Sequence, residues 1–293
     1  MDFEVKKISI DDEFFPISLK TIKNPPKELY YCGKLFKKED CLAVVGARIC
    51  SKYGQECCLE ICSALSHANL TIVSGLAEGI DTYAHLAAVK NKKRTIAVLG
   101  TAINQKSFYP KKNLSLAYEI LANDGLIISE YEAGVKTQPY AFAQRNRLIA
   151  GLSLGTLVIE AREKSGSLIT AQNTLEQGKK IFALPGNIHS PLSKGTHNLI
   201  KNGAKLTETA EDILKELQIN YLPNIIKNDK PTLGCDTEEI KIIEILSEKS
   251  LDIENLIKAT GLPAQKIMSA LATLEIKNKI IDLGDNTFSL NRN

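Results

Sequence analysis

Between residues 41 and 217, six short apolar runs alternate with segments of helical periodicity, and that alternation limits the fold more than any other feature. The runs are LAVVG (42–46), TIVSG (71–75), TIAVLG (95–100), LIISE (126–130), TLVIE (156–160) and KIFALPG (180–186). Apolar spacing predicts helices near 54–67, 79–90, 113–123, 144–153 and 168–177, with a closing one at 209–217. Strands this short and this uniformly apolar need cover on both faces. The expected architecture is an α/β fold with a doubly wound parallel sheet.

The flanks read differently. Residues 1–40 look like an N-terminal extension with little core of their own, and the polar stretch 218–235, with Pro223 and Pro231, reads as a linker. From 236 to 293 the pattern is three helices and a hairpin around Gly284-Asp285-Asn286, with ATGLP as the turn between the second and third helices. That order predicts a winged helix. A chain of 293 residues is long enough for both domains. At 44% hydrophobic and 24% charged its composition is that of a globular protein. The acid-rich N-terminus has no apolar signal segment, and no run is long enough to span a membrane, so a cytoplasmic protein is expected. Seven cysteines at 32, 41, 50, 57, 58, 62 and 235, without paired CxxC spacing, are expected to be reduced core thiols.

Charge is unevenly spread. Residues 236–293 hold seven Lys/Arg against ten Asp/Glu, a net −3, so with the whole chain at +3 the first 235 residues carry +6. A polyanion would therefore be met by the sheet domain.

Ligands of open parallel sheets bind beyond the carboxyl ends of the strands. This chain has Gly46-Ala47-Arg48, Ser74-Gly75, Gly100-Thr101, Ser129-Glu130 and Ser165-Gly166-Ser167 at those ends. Small residues that open a helix direct N–H groups at an anion. The first turn, VVGARICSKYG, lacks the GxGxxG of dinucleotide binding, and there is no GxxxxGK[ST], HExxH or GxSxG. In YAFAQRNRLIAG (140–151) two arginines flank an asparagine beside aromatic side chains. Arginine suits phosphate and an aromatic ring suits an unpaired base, although one of these arginines pairing with Glu130 or Glu160 fits the residues equally well. Asp81 and His85 share a helix face. An Asp–His hydrogen bond, or an Asp–Arg pair that shapes the pocket, explains them better than catalysis.

Taken in order, VVGAR (44–48), SGLAEGIDTYAH (74–85), AVLG with FYP (97–100, 108–110), SEY (129–131), RNRLIAGLS (145–153), EAREKSGSLITA (160–171) and FALPGNIHSPLSKGTHNLIKNGA (182–204) resemble the bacterial DNA-processing protein A family, DprA or Smf. The resemblance implies an extended Rossmann-like domain that binds single-stranded DNA in a basic pocket, forms a homodimer and serves natural transformation. Such proteins protect incoming strands and help load the RecA recombinase, and they are not established enzymes and need no cofactor. Carried onto this chain, Arg48, Gly75, Arg145, Arg147 and Ser165, Gly166 and Ser167 would hold phosphates. Phe142 would lie against a base, and Lys164 completes the DNA-binding set. The chain departs from the family at Ala102, where a glycine is usual, and in SEYEAG (129–134), where SEYPPG is usual.

Two other readings differ in class. Nucleoside-monophosphate phosphoribohydrolases share a Rossmann-like fold, but their PGGxGTxxE loop is replaced here by Pro185-Gly186-Asn187-Ile188. A duplex-reading regulator would need a basic third helix in the winged helix, and 263–278 offers Lys266 and Lys277 against Glu275 in a module of net −3.

Overall fold

The computed structural model describes residues 3–135, 138–219, 237–248, 250–277, 279–284 and 287–290. The linker read at 218–235 lies almost wholly outside them, as do Cys235, Asp285 and Asn286. The chain forms two compact units, Met1–Leu222 and Pro223–Asn293.

In the first unit the elements run β1 (Lys6–Ser9), α1 (Ile17–Lys20), β2 (Glu28–Gly33), β3 (Cys41–Val45), α2 (Lys52–His67), β4 (Thr71–Ser74), α3 (Ile80–Lys90), β5 (Thr95–Leu99), α4 (Leu114–Ala122) and β6 (Leu126–Ser129). They continue through α5 (Ala141–Leu152), β7 (Gly155–Val158), α6 (Gly166–Glu176), β8 (Lys180–Ala183), α7 (Lys194–Lys201), β9 (Lys205–Leu206) and α8 (Ala210–Glu216). Among the described residues nine strands form one sheet in the order β1-β2-β6-β5-β4-β3-β7-β8-β9. From β6 to β9 every pairing is parallel.

The side-chain period of two explains why the central strands are apolar throughout. Along β3, Cys41, Ala43 and Val45 face one core with Leu148, Ile149 and Leu152 of α5. Leu42 and Val44 face the other, with Cys58, Ile61 and Leu65 of α2 and Ile80 and Ala84 of α3. Helices thus cover both faces, and all five β3 residues are buried. Hydrogen bonding with Cys62, 3.9 Å away between sulfurs, and burial push the Cys58 thiol well above its ordinary range.

Residues 1–40 are more than an extension. β2 pairs antiparallel with β6 and β1 with β2, so this segment adds two strands to the sheet. Phe15, Leu19 and Leu29 are fully buried and join the core beneath α5.

The second unit has α9 (Thr237–Glu248), β10 (Leu251–Asp252), α10 (Ile253–Thr260), α11 (Ala264–Ile276), β11 (Ile280–Asp282) and β12 (Thr287–Leu290). Its strands pair in the order β10-β12-β11. Ile242, Leu246, Leu256, Ile267, Leu274 and Phe288 give it a core of its own. Asp252 caps α10, and Gly261 ends it at φ 70°, the left-handed conformation that glycine adopts without strain. The result is a winged helix, with β10 added to the expected hairpin.

Candidate functional site

The strand order reverses between β3 and β7, and the carboxyl ends of these two strands flank a crevice of the kind in which open α/β sheets bind ligands. A cleft of about 540 Å³ occupies it. The turn after β3 supplies Gly46 to Ile49, the segment after β7 supplies Arg162 and Lys164 to Ser167, and α5 supplies Phe142, Arg145 and Asn146. A second cavity, of about 100 Å³, adjoins it and shares Arg48, Ala77, Phe142 and Arg145.

Of the helix N-termini at this edge, those of α2 and α6 differ in what they hold. At α2 the buried Glu160 carboxylate accepts from the Ser51 backbone N–H at 2.9 Å and from the Ser51 hydroxyl. At α6 the cap is neutral: the Ser165 hydroxyl accepts from the Ser167 N–H at 3.4 Å and lies 2.7 Å from the Ser167 hydroxyl. Gly166 is exposed, and a Cβ built on it would meet nothing within 4 Å. The partial positive charge of an eleven-residue helix therefore faces the cleft, and among the described residues no carboxylate bonds to its first turn.

Three full charges surround it. Arg48, Arg162 and Lys164 line the cleft, are exposed, and make no side-chain hydrogen bond or ion pair within the described residues. Arg48 lies over the Phe142 ring at 6.0 Å, and Tyr109 meets the same ring edge-on at 5.6 Å. Ile49, 85% exposed, adds an apolar surface at the mouth.

Arg145 and Gly75 belong to the frame of the cleft. Arg145 is 5% exposed, and its Nη1 donates to the carbonyl oxygens of Gly75, at 2.8 Å, and Val98. The Gly75 N–H donates to the Asp81 carboxylate at 3.0 Å, so one residue links a buried cation to a buried anion. Gly75 permits this approach because a Cβ there would lie 2.5 Å from the guanidinium. Burial draws the Arg145 pKa down to about 10, with Asp81 pulling it back. Burial raises the Asp81 carboxyl, and the charge of Arg145 opposes the rise. Arg145 Nε is buried without a partner. The Asp–Arg relation foreseen from the sequence is thus present, while His85 turns elsewhere.

Arg147 does not reach the cleft. Residues two apart on a helix point about 200° away from each other, so Arg145 and Arg147 of α5 cannot serve one site. Arg147 forms a two-pronged pair with Glu130, both contacts at 2.6 Å, and its Nε donates to the Asn24 carbonyl. The structure thus places Arg147 outside the lining of the cleft, apart from the other residues expected to hold phosphate. Arg147→Ala is expected to lower stability by about 2 kcal/mol, the loss of a largely buried charged hydrogen-bond pair. Single-strand affinity should stay within about twofold, because no exposed cation is removed. Urea melts and a binding titration of the same preparation check both halves.

Sequence reading missed Arg162 and Tyr109. Arg162 was one charge among three in EAREK, and only the turn after β7 directs it to the cleft. Tyr109 precedes Pro110 in a loop that returns to α5, a long-range contact with no local signature.

His85 is fully buried, and its Nδ1 lies 2.8 Å from the Thr95 hydroxyl, which itself donates to the Ile72 carbonyl. Nδ1 therefore carries the proton and donates, while Nε2 is buried with no partner. Burial and the nearby Arg145 push the imidazole pKa from 6.5 down to about 3. Between these values the unfolded chain binds a proton that the folded protein refuses. Stability from this source is complete above pH 6.5 and falls with decreasing pH by about 1.4 kcal/mol per unit, or about 2 kcal/mol by pH 5. Asp81, whose carboxyl is raised, contributes with the opposite sign. Urea midpoints at pH 7 and pH 5 for wild type and His85→Asn isolate the imidazole: the wild type should lose more, and equal losses would contradict the assignment.

Within the described residues there is no cluster of His, Cys, Asp or Glu with metal-binding geometry, and no helix is long and apolar enough to cross a membrane. The chain matches the sequence profile of DNA recombination-mediator protein A over residues 6–218 and that of the DprA winged helix domain over residues 228–286. DNA processing protein DprA of Streptococcus pneumoniae is 45% identical over 211 residues, covering 72% of this chain and 73% of its own. Protein Smf of Escherichia coli is 38% identical over 275 residues, covering 92% and 73%. The X-ray structure of the S. pneumoniae DprA superposes with a TM-score of 0.67 at 44% identity over 73% of this chain and 74% of that one. A Helicobacter pylori DprA structure, which describes a single-stranded DNA binding mode, gives 0.66 at 28% identity over 75% and 98%. With its Rossmann-like sheet and C-terminal winged helix, the chain belongs to the DprA/Smf family of DNA-processing proteins that act in recombination.

Proposed function

We propose that this protein binds single-stranded DNA in the cleft between β3 and β7, captures and protects incoming strands during natural transformation, and helps load RecA recombinase onto them. One observation carries the reading: among the described residues the α6 N-terminus has no carboxylate on it and stands among three exposed cations without ion-pair partners. The Gly166 N–H and the hydroxyls of Ser165 and Ser167, with Arg48, Lys164 and Arg162, fit the sugar-phosphate backbone, and Phe142 offers a face to an unpaired base. Arg145 and Gly75 act by holding the floor of the cleft in place. The H. pylori relative's single-strand binding mode supports the choice of ligand.

The protein works as a cytoplasmic homodimer in this account, without a cofactor and without catalysis. The winged helix, which carries the acidic balance, makes protein contacts in preference to reading duplex DNA.

Fluorescence anisotropy of a labelled thymine strand, titrated at low and moderate salt with unlabelled duplex as competitor, tests the reading. Binding should be tight and resist the duplex. It should also weaken with salt at a log–log slope of about −0.7 per neutralised phosphate. No binding at low salt would sink it, and nucleoside monophosphates would then be the ligands to try.

A further inference from the structure

The α6 and α2 sides of the cleft differ in chemistry. Arg162 and Lys164 stand beside the neutrally capped α6 N-terminus and suit a phosphate. On the α2 side the buried Glu160 carboxylate is already bonded to Ser51, and it repels a second anion. Lys52, in the first turn of α2, pairs with Glu56 at 3.4 Å. What this side offers a ligand is apolar surface.

Tyr53 is the centre of that surface. Its hydroxyl donates to the Pro185 carbonyl at 2.8 Å, and a Cβ built on Gly186 would lie 4.0 Å from its Cε1. Burial pushes the phenol up to about 12, so the hydroxyl stays protonated and keeps this bond at neutral pH. The ring is thus fixed at its tip, yet the residue is 46% exposed. Ile49, just before α2, lines the cleft, and so does Leu192 from the loop between β8 and α7. Ile188, in the same loop, is 67% exposed. Three exposed apolar side chains therefore lie on the two segments that border the cleft on its α2 side.

A ligand suited to this surface has flat apolar faces, reaches it through the cleft, and keeps its charge elsewhere. The bases of a strand whose phosphates sit at the α6 N-terminus meet all three conditions. Building on the single-strand reading, we propose that Ile49, Tyr53 and Ile188 form a second base platform, separate from Phe142, on which the bound strand stacks as it leaves the cleft. Every base has a π-face, so the platform is indifferent to sequence. It lengthens the stretch of strand that one protein holds.

Anisotropy titrations of the full-length protein test this with two labelled strands of equal length, one of thymine and one of abasic tetrahydrofuran residues. Wild type should bind the thymine strand more tightly. Tyr53→Leu keeps an apolar side chain but removes the flat ring, and should weaken thymine binding about tenfold, the share of one stacked base. Its affinity for the abasic strand should stay within about twofold, at an unchanged salt slope, because no cation is lost. Tyr53→Phe should bind nearly as wild type does. Ile188→Asn, at an exposed loop position, should weaken thymine binding in the same selective way even if Tyr53→Leu folds poorly. Unchanged thymine affinity in both Tyr53→Leu and Ile188→Asn would overturn the proposal, as would equal losses on the two strands. A smaller mass in solution for these variants would also overturn it, by assigning the surface to contact between copies of the chain. If wild type binds neither strand, the single-strand reading itself fails.

Discussion

Arg145→Met is expected to destabilise the first unit by about 3–5 kcal/mol, the cost of removing one member of a buried charge pair. The methionine fills most of the space but leaves the Gly75 and Val98 carbonyls without their donor, and leaves Asp81 buried without the cation that opposes its desolvation. The remedy follows from the same physics. Asp81→Asn in the Arg145→Met background removes the uncompensated charge and should recover part of the loss, whereas Asp81→Asn alone should be destabilising because it strands the guanidinium. A double-mutant cycle by urea unfolding measures the coupling directly. Additive effects would mean that the two groups do not form the unit described here. Single-strand binding should weaken in Arg145→Met as well, because the frame beneath Arg48 and Phe142 is disturbed.

The second large effect belongs to the rim. Replacing Arg48, Arg162 and Lys164 together by alanine should reduce affinity for single-stranded DNA about 100-fold at 0.1 M salt, since each contact to a single strand contributes about 0.7 log unit by counterion release at that concentration. The slope of log affinity against log salt should fall by about 2 over the three contacts. Urea stability should change little, because these side chains are exposed and unpaired. The pairing of the two measurements separates the rim from the frame: rim variants lose binding at constant stability, while Arg145 variants lose both. A triple variant that binds as wild type does would place the ligand elsewhere.

The fold was legible in the sequence where local pattern and global burial agree. Central strands covered on both faces are apolar at every position, so LAVVG and TIAVLG declare themselves, and the helices between them carry one apolar stripe each. β1 and β2 were hidden for the opposite reason. They are antiparallel strands on the outer side of β6, only partly covered, and KKIS buries a single residue. The partner that ties β2 to the sheet, β6, lies more than ninety residues away along the chain, and among the described residues β1 pairs only with β2. β9, two exposed residues long, carries no periodicity at all.

The site was legible at the level of segments more than of residues. Every quoted turn at a strand end does reach the same edge of the sheet, because parallel topology puts it there. What each arginine does was not legible from residue type. Arg48 and Arg145 have the same guanidinium, yet one is exposed over an aromatic ring and the other is buried under Gly75. The spacing of RNR did contain a usable signal: two residues apart on a helix means opposite sides, and the pairing of Arg147 with Glu130 follows. Glu160 is a further case, since its carboxylate closes the α2 N-terminus from more than a hundred residues away.

In the proposed binding mode a single strand lies in the cleft between β3 and β7 and stacks a base beside Phe142. Photocrosslinking with a strand that carries 5-iododeoxyuridine, followed by mass-spectrometric mapping, tests it most directly. Adducts are expected at Phe142 and Tyr109, lost when excess unlabelled single strand is added and retained with excess duplex. Adducts confined to the winged helix, with none in the segments that line the cleft, would contradict it.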